Sequence, residues 1–174
     1  TNLVEDITGL VDRIDVLVNC AGVTIPSNGD WSILDWNDTY SINVNAPFLL
    51  TTGLIPLLER PSSSSVINIT SINSFMAFPG NPAYVSSKSA LDGLTRSLSL
   101  DLGERNIRVN SIAPGYIRTK MTSKSWEDAK LRKERTNRTV LGRWGEPEDL
   151  VWALIFLSSD ASLYVTGHSL KVDG

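Results

Sequence analysis

Three side chains near the middle of the sequence have the types and spacing needed to move a proton on and off an alcohol oxygen. Ser71 closes the apolar run Val66-Ile67-Asn68-Ile69, and thirteen positions later Tyr84-Val85-Ser86-Ser87-Lys88 opens a long helical pattern. A phenol and an ammonium four residues apart share one helix face, so the amine can lower the phenol's pKa while a nearby hydroxyl holds a substrate oxygen. A free tyrosine titrates near pH ~10, too high for a base at neutral pH, and making it ten times more acidic takes about 1.4 kcal/mol of preference for the phenolate. Taken alone the motif is short enough to recur by chance, and Ser71 could be only a cap.

The surrounding pattern supplies the elements that position these groups. Apolar residues at Leu3, Val4, Ile7, Leu10 and Val11 predict a helix over 2–13, and Ile14 to Asn19 reads as a buried strand closed by Ala21-Gly22. A loop over 23–33 holds Pro26, Ser27, Asn28, Gly29 and Asp30. A helix capped by Asp35 should run from Trp36 to about Leu58, with Pro47 starting a new turn or imposing a kink, and Pro61 to Ser65 is a short linker. Val66 to Thr70 is the next strand. The longest helix, Ala83 to Glu104, carries Leu91, Leu94, Leu98 and Leu102 on its packing face and stops at Asn106. Ile107 to Ile112 is a third strand, ended by Pro114-Gly115. Residues 116–146 are charged and weakly periodic, an excursion of the kind that covers a site, with 118–146 as the candidate substrate loop. A last helix from Glu146-Pro147 to Ser158 precedes the strand Ser169 to Val172.

Strands alternating with helices predict an α/β fold: a doubly wound parallel sheet, Rossmann-like, incomplete, with about four strands and flanking helices, in one partial domain over 1–174. Ligands of such sheets bind beyond the carboxyl ends of the strands, where Asn19-Cys20-Ala21-Gly22, Ser71 and Pro114-Gly115 all fall. The formal charge of −3 and pI near 5.1 carry no electrostatic footprint for nucleic acid. Cys20 and His168 are single, so neither an intrachain disulfide nor a His/Cys metal cluster can form, and no metal is expected. No apolar run is long enough to span a membrane, and the expected location is cytoplasmic.

Taken in order, these motifs resemble the short-chain dehydrogenase/reductase family over nearly the whole sequence. Asn19-Cys20-Ala21-Gly22 is similar to the family's Asn-Asn-Ala-Gly signature, with Cys20 in place of the second Asn. Ile42-Asn43-Val44-Asn45-Ala46-Pro47-Phe48 resembles the segment carrying its active-site Asn, which puts that role on Asn43. Ser71, Tyr84 and Lys88 match its Ser, Tyr-x-x-x-Lys triad, and Pro114-Gly115-Tyr116-Ile117-Arg118-Thr119 is similar to its nicotinamide-side segment. Gly142 to Asp149 and Thr166-Gly167 with Val172-Asp173-Gly174 complete the likeness.

The resemblance implies an NAD- or NADP-dependent oxidoreductase that interconverts a secondary alcohol and a ketone by hydride transfer. Asn43, Ser71, Tyr84 and Lys88 would be catalytic, with Asn43 holding a water that links Lys88 to solvent and Lys88 also meeting the nicotinamide ribose. Asn19, Ala21, Gly22, Tyr84, Lys88, Pro114, Gly115, Ile117 and Thr119 would bind cofactor. By its residue type Asn19, like Asn68, reads as a structural closer of backbone hydrogen bonds, and Thr119 as either a cofactor contact or a cap. Asn73, Phe75, Phe78, Tyr116 and Trp144 are candidates for a substrate pocket, although Phe75, Met76, Phe78 and Tyr116 could fill core and Arg143 and Trp144 could pack on the last helix. Cys20 is expected to be a small buried side chain. Gly142-Arg143-Trp144-Gly145 points toward sugars, polyols or sugar acids; 3-oxoacyl thioester reductases share most of these features, and a non-enzymatic cofactor-binding or scaffold protein is the alternative of another class. The family likeness also implies a homodimer or homotetramer with a small-molecule substrate.

One expected motif is absent. No Thr-Gly-x-x-x-Gly-x-Gly turn, whose amides would meet a pyrophosphate, occurs in the sequence. With a start at Thr1 inside a helical pattern, the reading is a fragment whose first strand presents an open edge, inactive or unstable alone.

Overall fold

The computed structural model describes residues 3–27 and 29–174. Thr1, Asn2 and Asn28 lie outside the described residues, and with them the expected first residue of the opening helix and one loop position.

Four parallel strands form one sheet in sequence order: β1 (Val16–Asn19), β2 (Ser64–Ile69), β3 (Ile107–Pro114) and β4 (Ser169–Val172). The α/β fold expected from the alternating pattern is therefore present. Parallel neighbours require crossovers, and these are helical. Helix α1 (Leu3–Leu10) leads into β1; α2 (Ile33–Tyr40), α3 (Ala46–Gly53) and α4 (Ile55–Leu58) lead to β2; α5 (Pro82–Leu102) leads to β3; α6 (Ser123–Glu127), α7 (Ala129–Thr136) and α8 (Val151–Ser158) lead to β4.

Both sheet faces are covered, by separate cores. Leu54, Leu57 and Leu58 meet Val66, Val109, Ile107, Leu98 and Leu102 on one face. Ile67 and Ile112 meet Leu157 of α8 on the other. Alternation along a strand explains the division, since Val66 pairs in register with Val109 and their sequence neighbours point the opposite way. Polar residues inside the sheet are satisfied side chain to side chain: Asn19 donates to Asn68 at 2.8 Å and Asn68 to Thr95 at 2.9 Å. This differs from the backbone-closing role expected for the two asparagines.

The helix boundaries follow local chemistry, with shifts that have physical causes. Ser32, not Asp35, caps α2, its oxygen accepting from the Asp35 amide. The helical pattern over 36–58 is broken by a π turn at Ser41–Asn45, and Pro47 stands in the first turn of the segment that follows, α3, as the expected start of a new turn. Pro47 has no N–H for the carbonyl four residues back, that of Asn43, and its ring crowds that carbonyl. The extra residue in the turn relieves both problems.

Asn81 caps α5, with Pro82 at its first position. Asn106 ends the following turn in the left-handed conformation at φ 58°, as a stop residue should. Strand β3 continues two residues beyond the expected Ile112, because Ala113 and Pro114 still pair with Lys171 and Val172. Val16 and Val18 of β1 are each 37% exposed, so this strand is the open edge expected of it, although its apolar composition reads as a buried strand. None of the helices among the described residues is long and apolar enough to cross a membrane.

Candidate active site

The carboxyl ends of β1, β2 and β3 gather the residues singled out by type and spacing. Ser71 follows β2 and opens a short 3-10 turn, accepting from the Asn73 amide. Ser74, at the end of that turn, donates to the Lys88 carbonyl at 2.8 Å and so fastens the turn to α5. Asn81 donates to Thr24 at 2.6 Å, tying the loop after β1 to the start of the same helix. Tyr84 and Lys88 sit in the first two turns of α5, facing the sheet edge.

Within this frame the Ser71 hydroxyl neighbours the Tyr84 phenol. Burial pushes the Tyr84 pKa above its ordinary value, and the Ser71 hydroxyl beside it partly offsets the rise. Lys88 is 3% exposed, donates to the Ile69 carbonyl at 2.7 Å and lies 5.9 Å from the Tyr84 ring centroid. The expected lowering of the phenol by the ammonium is thus not what this arrangement produces; desolvation dominates both groups. It lowers Lys88 to about 8, against a smaller opposing pull from Cys20.

Asn43 is fully buried in the π turn. Its amide grips the Val23 backbone, accepting from N–H at 2.8 Å and donating to C=O at 3.0 Å, and also donates to Ser87 at 3.0 Å. A Cβ on Gly22 would stand 3.3 Å from both the Asn43 oxygen and the Lys88 amine. The bare backbone at Gly22 therefore leaves open the space beside the Lys88 head, and the residues present suit the nicotinamide side of a dinucleotide.

Other candidates are placed less uniformly. Asn19 is buried and its amide is spent on Asn68 and Thr51, so it faces the protein interior. Ala21 is exposed beside Gly22, and Pro114 and Gly115 end β3 at the same edge. The Ile117 side chain is buried, and Thr119 caps a 3-10 turn, its N–H donating to Thr122 at 3.0 Å. Cys20 is exposed, correcting the expectation of a buried thiol: it stands on the rim of the strand ends, not under them. Among the described residues no group of His, Cys, Asp and Glu is arranged to hold a metal.

The candidate pocket residues divide. Phe78, Tyr116 and Trp144 form a chain of ring contacts, with centroids 6.3 and 5.5 Å apart, and Trp126 extends it at 5.4 Å. Phe75 is outside that chain, lying instead under the Lys171 amine at 4.4 Å, and Asn73 belongs to the Ser71 turn. Arg143 is committed to Asp149 by two bonds of 2.7 and 2.8 Å, which hold that carboxyl well below the usual range.

Sequence reading missed two contributors. Ser87 sits inside Tyr-x-x-x-Lys and steadies Asn43 while donating to the Tyr84 carbonyl. Arg132 and Arg135 of α7 and Arg138 in the turn after it stand beside the ring chain, a signal visible in the sequence as three arginines at three-residue spacing.

A parallel sheet whose strand ends gather an Asn, a Ser, a Tyr and a Lys defines a class of dinucleotide-dependent oxidoreductase. A family profile described as enoyl-(acyl carrier protein) reductase matches residues 1–174. The 5-keto-D-gluconate 5-reductase of Escherichia coli K12 is 39% identical over 98% of the chain and 68% of its own length. The 3-oxoacyl-(acyl-carrier-protein) reductase FabG of Thermotoga maritima is 37% identical over 99% of the chain and 70% of its own. The crystal structure of a gluconate 5-dehydrogenase from Burkholderia cenocepacia, in complex with NADP and tartrate, superposes with a TM-score of 0.93 at 31% identity, covering 98% of this chain and 68% of that one. The chain belongs to the short-chain dehydrogenase/reductase family, whose members are oxidoreductases using NAD or NADP.

Proposed function

We propose that this chain carries the catalytic side of a dehydrogenase that interconverts a secondary alcohol and a ketone on a sugar acid. The observation that carries the reading is the placing of Tyr84 and the buried amine of Lys88 on one face at the start of α5, with Ser71 beside the phenol and Lys88 tied to the Ile69 carbonyl at 2.7 Å. When bound, the nicotinamide supplies or accepts the hydride. The chain's own residues do the rest. Ser71 holds the substrate oxygen; Tyr84 gives it a proton in reduction and takes one in oxidation. Lys88 orients the ribose and bears positive charge beside the phenol, and Asn43 keeps the path from Lys88 to solvent in register. Gly22, Ala21, Pro114, Gly115, Ile117 and Thr119 line the cofactor's path, Gly22 by lacking a side chain.

Residues 118–146 act as the substrate loop over this edge, with Tyr116, Phe78 and Trp144 as its aromatic wall. The sugar-acid reading is supported by the gluconate-acting relatives; the FabG relative supports the 3-oxoacyl thioester alternative. In this reading the pyrophosphate is held by a glycine-rich segment outside these 174 residues, set against the open edge of β1. The 174 residues by themselves bind the dinucleotide poorly. A homodimer or homotetramer would bury apolar groups that α8 and its following turn present to solvent, including Trp152, Leu163 and Tyr164. The one cysteine is a free exposed thiol, in keeping with the reducing cytoplasm.

Replacing Tyr84 with Phe in the full-length protein tests the role. Turnover should collapse, by roughly a thousand-fold for loss of a general acid, while NADP titration stays unchanged. Undiminished turnover would mean a vestigial site, as in a cofactor-binding scaffold.

A further inference from the structure

Four arginines stack on the aromatic wall, and three have their charge or their donors engaged elsewhere. Arg118 lies over Trp126 and pairs with Glu146 at 3.0 Å. Arg138 lies over Phe78 and pairs with Glu134 at 2.5 Å. Arg132 lies over Trp126 and donates to its carbonyl at 3.0 Å. Arg135 differs. Its guanidinium sits 5.5 Å from the Tyr116 centroid and 5.9 Å from that of Trp144, half-buried, with no carboxylate or carbonyl partner among the described residues.

A guanidinium keeps its charge at any ordinary pH, and ring faces compensate only part of the cost of removing it from water. Its planar fork matches a carboxylate through two parallel hydrogen bonds. Tyr116, on which it rests, follows Pro114-Gly115 at the carboxyl end of β3, the sheet edge that also carries Ser71, and touches Phe78 of the loop between Ser71 and Tyr84. The cation therefore stands one aromatic ring away from the reacting edge.

We infer that Arg135 is the specificity residue for the carboxylate of an acidic substrate, gripping it edge-on with the in-plane N–H donors that stacking on Tyr116 and Trp144 leaves unpaired. This rests on the sugar-acid reading above and adds the group that recognises the acid. Arg135 touches no reacting atom in this assignment; it selects acids over neutral polyols of the same shape. Its position on α7 makes the substrate loop the selector, separate from the Ser71, Tyr84 and Lys88 edge that does the chemistry.

Binding rather than turnover provides the test, so a protein with no measurable activity still answers. In the full-length protein with the reduced dinucleotide NADPH present, which cannot accept hydride from an alcohol, gluconate and its neutral counterpart sorbitol are titrated by quenching of tryptophan fluorescence, Trp144 and Trp126 being the nearest reporters. The expected result is that Arg135→Met, which keeps the packing volume, weakens gluconate by roughly ten- to hundred-fold, the scale of a charged hydrogen bond. Sorbitol binding should shift less than about two-fold, and Arg135→Lys should recover part of the gluconate affinity. Equal weakening of both ligands would make Arg135 a structural clip of α7 on Trp144, and would overturn the assignment. Wild-type protein that does not prefer gluconate to sorbitol would overturn it too. Tight, Arg135-dependent gluconate binding without any gluconate turnover would instead remove the reading of the reaction and leave the acid site standing.

Discussion

Asn43 and Val23 are joined as two strands would be, N–H to O and N–H to O, but one partner is a side chain. The bonds fix the loop after β1 to the π turn and, through Ser87, to α5. Asn43→Ala leaves both polar groups of Val23 unpaired in a part-buried site, at about 1–3 kcal/mol for each group left unsatisfied. We expect a lower urea midpoint, and turnover reduced further than dinucleotide affinity. Equal stability in the two proteins would mean that water replaces the amide.

Gly115 is held against β4. A Cβ there would lie 2.7 Å from the Asp173 Cα and 3.0 Å from its carbonyl oxygen, backbone atoms that no rotamer change can clear. Gly115→Ala should therefore part the ends of β3 and β4 and cost about 3 kcal/mol. Equilibrium unfolding measures the loss. Gly142→Ala is the contrasting control, since nothing lies near its Cβ position and only its positive φ of 64° opposes the change.

Lys88 makes stability depend on pH in a defined direction. Its folded value of about 8 lies below the ordinary 10.5, so between these values the unfolded chain binds the proton and the folded one does not. Stability attributable to this group thus rises with pH from about 8 to 10.5; below 8 both states are protonated, and burying the ammonium costs on the order of 3 kcal/mol in full. Tyr84, raised by burial, works the other way at higher pH, where the folded state keeps its proton longer. Urea unfolding at pH 7 and pH 9.5 should show wild type gaining about 2 kcal/mol on Lys88→Met. A gap that does not change with pH would place the folded amine at its ordinary value.

What residues alone disclose is whatever is written locally. The four strands, the long helix α5 and the Asn106 stop follow from apolar runs and a stop signal a few residues long, while the Asn81 cap and the Pro82 start of α5 are not legible in them. The new turn at Pro47 is legible in this way, but the π turn before it is not, because the carbonyl that the proline fails to satisfy belongs to Asn43, one turn earlier. Cys20 and Val18 look buried by composition, yet their exposure is decided by which strand lies beside β1. The direction in which Tyr84 moves is hidden for a related reason: helical spacing brings Lys88 to the right face, but its amine is claimed by Ile69, 19 residues away. The Arg135 stack depends on rings from the segment after β3 and the turn before α8, which no local pattern joins.

The strand order described above also sets a timetable for assembly. Every strand pair is parallel, so no hairpin can form early; Asn19 must find Asn68 across 49 residues, and Ser111 must find Ser169 across 58. Loop closure on that scale precedes any reward from pairing, and chains of this topology fold slowly while their apolar strands remain open to other chains. Recovery of soluble protein should therefore be governed by the rate of synthesis and by chaperone supply, and slow, cool expression should raise the yield more than any additive that acts on the finished fold.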